Sequence, residues 1–184
     1  MRLLACSLQL ESCNSKMKIF LVGYMASGKS TAAKKVAAKL GLQSVDLDAE
    51  IVKTSGLSIP EIFKAKGEKG FRKLEQSELR KWIEKDDFVM ACGGGTPCFF
   101  QSMDEMNAAG ATVYLQMTPK AVVDRVQSSK QERPILKGLS GKKMLDKVAF
   151  QLKKREPFYS RAQWTVNGVN LDVEELVGMI NHSK

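Results

Sequence analysis

The sequence predicts an α/β protein, a parallel sheet with helices on both faces, and three observations carry that reading. Short apolar runs at residues 18–22, 88–92 and 112–116 read as buried strands. Between them lie longer stretches whose apolar residues recur at helical spacing. The first strand meets the first helix through Gly23-Tyr24-Met25-Ala26-Ser27-Gly28-Lys29-Ser30-Thr31, which fits the P-loop pattern G-x-x-x-x-G-K-[ST]. Strand, glycine loop and helix are the context that this motif needs. The glycines let successive backbone N–H groups turn inward on a phosphate, and the helix N-terminus adds partial positive charge. Lys29 is placed to reach the β- and γ-phosphates, and the Ser30 hydroxyl to ligate Mg²⁺.

The remaining elements follow in order. The first helix is expected over residues 31–40, with Val36, Ala37 and Leu40 on its apolar face and Gly41 as its cap. Residues 43–48 then read as a strand ending in two acids. Asp46 and Asp48, two apart on a strand, would point to the same side, toward the crevice at the strand's carboxyl end. The other reading is that both acids cap the next helix. That helix is expected over residues 49–54, broken by Gly56. Ser58 and Pro60 suit the start of another. Residues 64–70 read as a turn, and residues 71–85 as an amphipathic helix burying Phe71, Leu74, Leu79, Trp82 and Ile83.

The second buried strand runs straight into Gly93-Gly94-Gly95-Thr96-Pro97. Three glycines are costly to order, so the run is either a flexible turn or a wall where backbone approaches a ligand. A helix over residues 100–109, a strand over 112–116 and a helix over 119–127 capped by Thr118 come next. Residues 128–140 are polar and irregular and read as a functional loop or lid carrying Arg133. A basic helix over 142–155, stopped by Pro157, a strand over 163–166 and a helix over 172–180 complete the chain.

Composition narrows the function. The chain has 184 residues, 43% apolar and 27% charged, the size and balance of one globular domain. Residues 17–184 are taken as that domain, with 1–16 as an extension. The net charge of +9 is spread over many segments, so anionic small molecules are favoured over a nucleic-acid groove. No apolar run is long enough to span a membrane. Cys6, Cys13, Cys92 and Cys98 form no CxxC pair, and the one histidine, His182, is near the end. A zinc site or His-dependent nucleophile is therefore not expected, and free thiols point to a reducing cytoplasm.

The P-loop, Asp46-Leu47-Asp48, Phe71-Arg72, Gly93-Gly94-Gly95, Arg133-Pro134 and Arg155-Glu156-Pro157-Phe158-Tyr159, in this order, resemble the shikimate kinase family from about Met17 to the C-terminus. The resemblance implies a three-layer α/β/α P-loop kinase fold with a five-stranded parallel sheet in the order 2-3-1-4-5 and a lid. It implies ATP-dependent phosphorylation of the shikimate 3-hydroxyl, on the way to chorismate and the aromatic amino acids, by a cytoplasmic monomer without nucleic-acid or membrane partners. By resemblance, Ala26, Ser27, Gly28, Lys29, Ser30 and Thr31 cradle the phosphates. Ser30 and Asp46 serve Mg²⁺, the latter through water, and Asp48 binds the shikimate hydroxyls as the candidate base. Arg72 and Arg155 hold the carboxylate, the backbone of Gly93, Gly94 and Gly95 lines that pocket, and Arg133 meets ATP from the lid. The family often has a second glycine where this chain has Ala26-Ser27, and its adenine contact falls near residues 167–170.

The chemistry of a polyol acid agrees with this set. An arginine fork makes two parallel hydrogen bonds to a carboxylate, and two forks from distant segments fix its orientation. Each arginine alone has a plainer reading: Arg72 as a helix-face partner of Glu75 or Glu68, Arg155 as a solvated residue near a helix C-terminus. Another small P-loop kinase, acting on gluconate or a nucleoside monophosphate, and a non-catalytic ATP-binding module are the competing functions.

Overall fold

The computed structural model describes residues 16–129 and 138–182. Five strands, β1 (Lys18–Val22), β2 (Gln43–Asp46), β3 (Phe88–Ala91), β4 (Ala111–Gln116) and β5 (Trp164–Asn167), form one sheet in the order β2-β3-β1-β4-β5. Every pairing is parallel, with Ile19 of β1 opposite Val89 on one side and Ala111 on the other. The expected topology is therefore the one observed.

Side chains of β1 alternate between two cores, as the pleat requires. Ile19 and Leu21 pack with Val36 and Ala37 of α1 (Lys29–Leu40) and with Leu176 and Ile180 of α7 (Val173–Asn181). Phe20 and Val22 face the other way. They join a larger core with residues of α2 (Leu47–Ser55), α3 (Ile59–Ile83), α4 (Ser102–Ala109), α5 (Pro119–Ser128) and α6 (Gly141–Tyr159). Burial on both faces explains why the strands read as unbroken apolar runs.

Four local features depart from the sequence expectation, and each has a physical cause. Asp46 ends β2 and becomes the N-cap of α2, accepting the Ala49 N–H at 3.3 Å, so Asp48 stands in the first helical turn and not on a strand. Residues 64–70 stay within α3, which kinks at Gly67 (φ 64°, ψ −178°), a conformation glycine adopts freely. Phe100 and Gln101 both adopt left-handed backbone (φ 51° and 60°), so α4 starts only at Ser102; such a conformation costs a residue with a Cβ roughly 1–2 kcal/mol. Finally, α6 runs through Pro157 to Tyr159. Proline removes one N–H from the last turn, but Ser160 still donates to the Glu156 carbonyl at 2.9 Å, and Tyr159 is fully buried.

Of the expected extension, residues 1–16, all but Lys16 lie outside the described residues, as does the heart of the expected lid, residues 130–137, with Arg133. No helix among the described residues is long and apolar enough to cross a membrane.

Candidate active site

The site is built at the carboxyl ends of β1, β2 and β3, with side chains from α1, α2, α3, α5 and α6. The P-loop leaves β1 and curls through left-handed backbone at Ala26 (φ 60°) and Gly28 (φ 91°) before α1 begins at Lys29. Gly23 is fixed by close approach: a Cβ there would stand 2.8 Å from the Leu115 carbonyl of β4. The Lys29 ammonium is buried in the loop and donates to the carbonyls of Gly23 (2.9 Å) and Tyr24 (2.7 Å) and to the Ser27 hydroxyl (3.3 Å). The loop's carbonyls thus hold the lysine cation at the N-terminus of α1, where an anionic polyphosphate is attracted.

Next to it, the Ser30 hydroxyl donates to Asp46 Oδ2 at 2.7 Å. Asp46 therefore serves two ends of the fold, capping α2 through one oxygen and holding Ser30 through the other. The two side chains bring hard oxygen donors together where the phosphates would end. Among the described residues no group of three or more His, Cys, Asp or Glu could cage a metal. A pair of oxygens fits Mg²⁺, which keeps several waters and takes few protein ligands.

Asp48 lies in the same crevice, open to it, yet surrounded by enough protein to lose part of its hydration. That loss, together with the carboxylates of Glu75 and Asp46, raises its pKa to about 6 against the opposing pull of Lys29 and Arg72. Its Oδ1 would be 3.3 Å from a Cβ at Gly93, so the acid rests against the glycine run.

The two arginines meet that run as well. Arg72 is 9% exposed, which excludes a solvated helix face. It pairs with Glu75 at 2.7 Å and with Glu68 at 3.5 Å, so the ion-pair partners suggested by spacing are real, but the Glu75 pair is buried. Glu75 in turn accepts the Thr96 hydroxyl at 2.6 Å. Arg155 projects from α6 and donates to the Gly94 carbonyl at 3.1 Å, with the Tyr24 ring 5.3 Å away. The Tyr159 hydroxyl donates to the same carbonyl oxygen. Two of the glycines have no room for a side chain, since a Cβ would come 2.7 Å from Glu75 Oε1 at Gly93 and 2.7 Å from Arg72 Cζ at Gly95; at Gly94 a Cβ would be tight, 3.3 Å from the Met25 backbone nitrogen and 3.4 Å from Arg155 Nη1. The run is therefore an ordered wall and not a flexible turn.

Lys29, Ser30, Asp46, Asp48, Gly93 and Gly94 line one crevice of ≈ 420 Å³, whereas Arg72, Gly95 and Arg155 are not part of its lining. A roomier hollow of ≈ 600 Å³ lies between α6 and β5 and holds none of these six. Three residues of the arrangement had no role assigned from sequence. Glu75 was visible only as a helix-spaced partner of Arg72. Tyr159 lay beyond the expected helix end. Arg125 gave no signal, yet it donates to the Ala26 carbonyl of the P-loop (3.3 Å) and to the carbonyls of Gly168 (2.8 Å) and Val169 (3.1 Å). It thereby joins the phosphate loop to the segment after β5.

Comparison with known proteins is consistent across sequence and structure. The family model for shikimate kinase matches residues 25–182. A shikimate kinase of Parabacteroides distasonis is 39% identical over 166 residues, 90% of this chain and 96% of that protein. The crystal structure of shikimate kinase from Bacteroides thetaiotaomicron superposes with a TM-score of 0.85 at 37% identity, covering 92% of this chain and 98% of the other. A shikimate kinase from Acinetobacter baumannii in complex with shikimate superposes with a TM-score of 0.79 at 30% identity, over 92% and 93% of the two chains.

Proposed function

The chain belongs to the shikimate kinase family, and from that premise we propose how its own residues divide the reaction, transfer of the γ-phosphate of ATP to the 3-hydroxyl of shikimate to give shikimate 3-phosphate and ADP. The observation that carries the division of labour is the glycine run, which touches Asp48, Arg155 and Arg72 one glycine at a time beside the P-loop. A polyol acid bound there has its carboxylate between two guanidinium groups and a hydroxyl near a carboxylate.

The P-loop from Ala26 to Thr31 binds the ATP phosphates. Lys29 exchanges its loop carbonyls for phosphate oxygens and stabilises the charge that spreads over the transferred group. Ser30 and, through water, Asp46 would hold Mg²⁺, which would neutralise phosphate charge when bound. Arg125, with Gly168 and Val169, lines a separate hollow of ≈ 270 Å³ beside the P-loop that would take the nucleoside, and Arg133 is the residue assigned to the ATP phosphates. In the acceptor pocket, Arg72 and Arg155 clamp the carboxylate and the backbone of Gly93, Gly94 and Gly95 supports it. Asp48 accepts a hydrogen bond from the attacking hydroxyl and takes its proton as the P–O bond forms. Phosphoryl transfer needs positioning more than a strong base, so a carboxylate with a pKa of about 6 suffices. The protein works as a cytoplasmic monomer on ATP and shikimate, without nucleic acid or a membrane.

The test is ADP release with Mg-ATP and shikimate, quinate, gluconate or a nucleoside monophosphate, each alone. Turnover with shikimate only is the expected result. Turnover with another acceptor instead would keep the P-loop assignment and remove that of the acceptor pocket.

A further inference from the structure

The segment after the glycine run carries a second, unexpected arrangement around Arg72. Phe99 is extended (φ −128°, ψ 149°), half-buried, and its ring centroid lies 4.4 Å from Arg72 Cζ. That is nearer than the 5.1 Å to the ring of the adjacent Phe71. Directly beyond it come the two left-handed residues, Phe100 and Gln101, neither of them a glycine. The Phe100 carbonyl is tied to α3 by the Gln76 amide at 3.2 Å, one turn from Arg72 on the same helix. Backbone strain of this kind persists where the surroundings hold it, and it clusters at functional sites. Here it turns the chain sharply after Phe99 and leaves that ring against the guanidinium.

The guanidinium also has an unsatisfied direction. Its two terminal nitrogens pair with Glu75 and Glu68, whereas Nε is buried and without a hydrogen-bond partner among the described residues. An arginine aimed at a carboxylate acts through the orientation of its plane. The acids fix the edge of that plane; an aromatic face can fix its tilt.

We propose that Phe99 is a positioning residue for acceptor binding: its ring, delivered by the left-handed Phe100–Gln101 turn, stacks on Arg72 and sets the guanidinium plane that receives the acceptor carboxylate. The inference rests on Arg72 holding that carboxylate, as proposed above. Phe99 acts through Arg72 and takes no part in the transfer step.

Steady-state kinetics of Phe99→Leu and Phe99→Trp, with ATP and shikimate varied separately and thermal unfolding recorded, test it. Leucine keeps bulk and loses the aromatic face. The shikimate KM is expected to rise about fivefold to tenfold, the scale of a partly desolvated cation–π contact, with kcat and the ATP KM within about twofold of the parent. Phe99→Trp should restore most of the loss, because indole offers a stronger face. A leucine variant with the parental shikimate KM overturns the proposal. So does a tryptophan variant as impaired as the leucine one, a parallel rise in both KM values, or a leucine variant that does not fold. Failure of the parent itself to turn over shikimate overturns the acceptor reading and this inference together, whereas an active parent with unchanged variants overturns the inference alone.

Discussion

Arg155 and Tyr159, one turn apart on α6, donate to a single acceptor, the carbonyl oxygen of Gly94. The last turn of that helix is thereby bolted to the wall of the crevice. The contact explains why the helix is worth continuing past Pro157, since the tyrosine that completes it comes two residues later.

Tyr159→Phe should separate the bolt from the ring. The ring stays buried and the hydroxyl is lost, leaving Arg155 alone on Gly94. A net hydrogen bond contributes about 0.5–1.5 kcal/mol, so thermal unfolding should register a loss of that order. The shikimate KM should rise severalfold while the ATP KM holds. Unchanged stability and unchanged KM would mean that the hydroxyl contributes nothing to the wall.

Arg155→Ala and Lys29→Met should divide the substrates between them. Loss of a hydrogen bond to a charged group costs about 1.5–3 kcal/mol, so Arg155→Ala should weaken shikimate roughly ten- to a hundredfold and leave ATP binding nearly intact. Lys29→Met should lower kcat by roughly two to three orders of magnitude, comparable with removal of one donor to a developing oxyanion. Calorimetric titration of each variant with each substrate checks the split. Equal loss of ATP affinity in Arg155→Ala would take that arginine out of the acceptor pocket.

The pH profile follows from Asp48. Its pKa is raised to about 6, so the base form predominates above that pH and is lost below it. The rate constant kcat/KM should therefore climb with pH up to about 6 and level off above, and Asp48→Asn should abolish most of the turnover. A profile flat between pH 5 and 8 would show that ionisation of Asp48 does not limit the reaction.

Gly95→Ala tests the wall directly. A methyl group there would lie 2.7 Å from Arg72 Cζ, well inside contact distance, so the guanidinium must shift. The shikimate KM should rise by at least the amount caused by Phe99→Leu, with ATP affinity preserved. Parental kinetics would mean that the wall can yield without moving Arg72.

The parts of the site that could be read from sequence are those whose chemistry is local. The P-loop is a contiguous motif, and the strands are apolar because both faces are covered, so the sheet and Lys29 were legible at once. Asp46 does end its strand, but Asp48 belongs to the following helix, because an acid that continues a strand and an acid in a helix's first turn look alike until the Ala49 N–H is located. Arg72 and Glu75 at helical spacing describe an exposed pair as well as a buried one, and burial is a tertiary property. Arg125 joins residues more than forty positions away through backbone carbonyls, which carry no side-chain signature. The left-handed pair at Phe100 and Gln101 was hidden for a related reason: no glycine or asparagine marks it.

The glycine wall also bears on how this enzyme can change. Gly93 and Gly95 are closed by Glu75 and Arg72, so substitutions there are met with a collision whatever their polarity, and Gly94 leaves only tight space beside the P-loop backbone. Selection for a new acceptor has little freedom in the backbone that lines the pocket. It must work through the side chains that reach in from α2, α3 and α6, which sit on separate elements and can be exchanged one at a time. The rigid part of the pocket is in this sense its memory, and the three reaching side chains are where its specificity can drift.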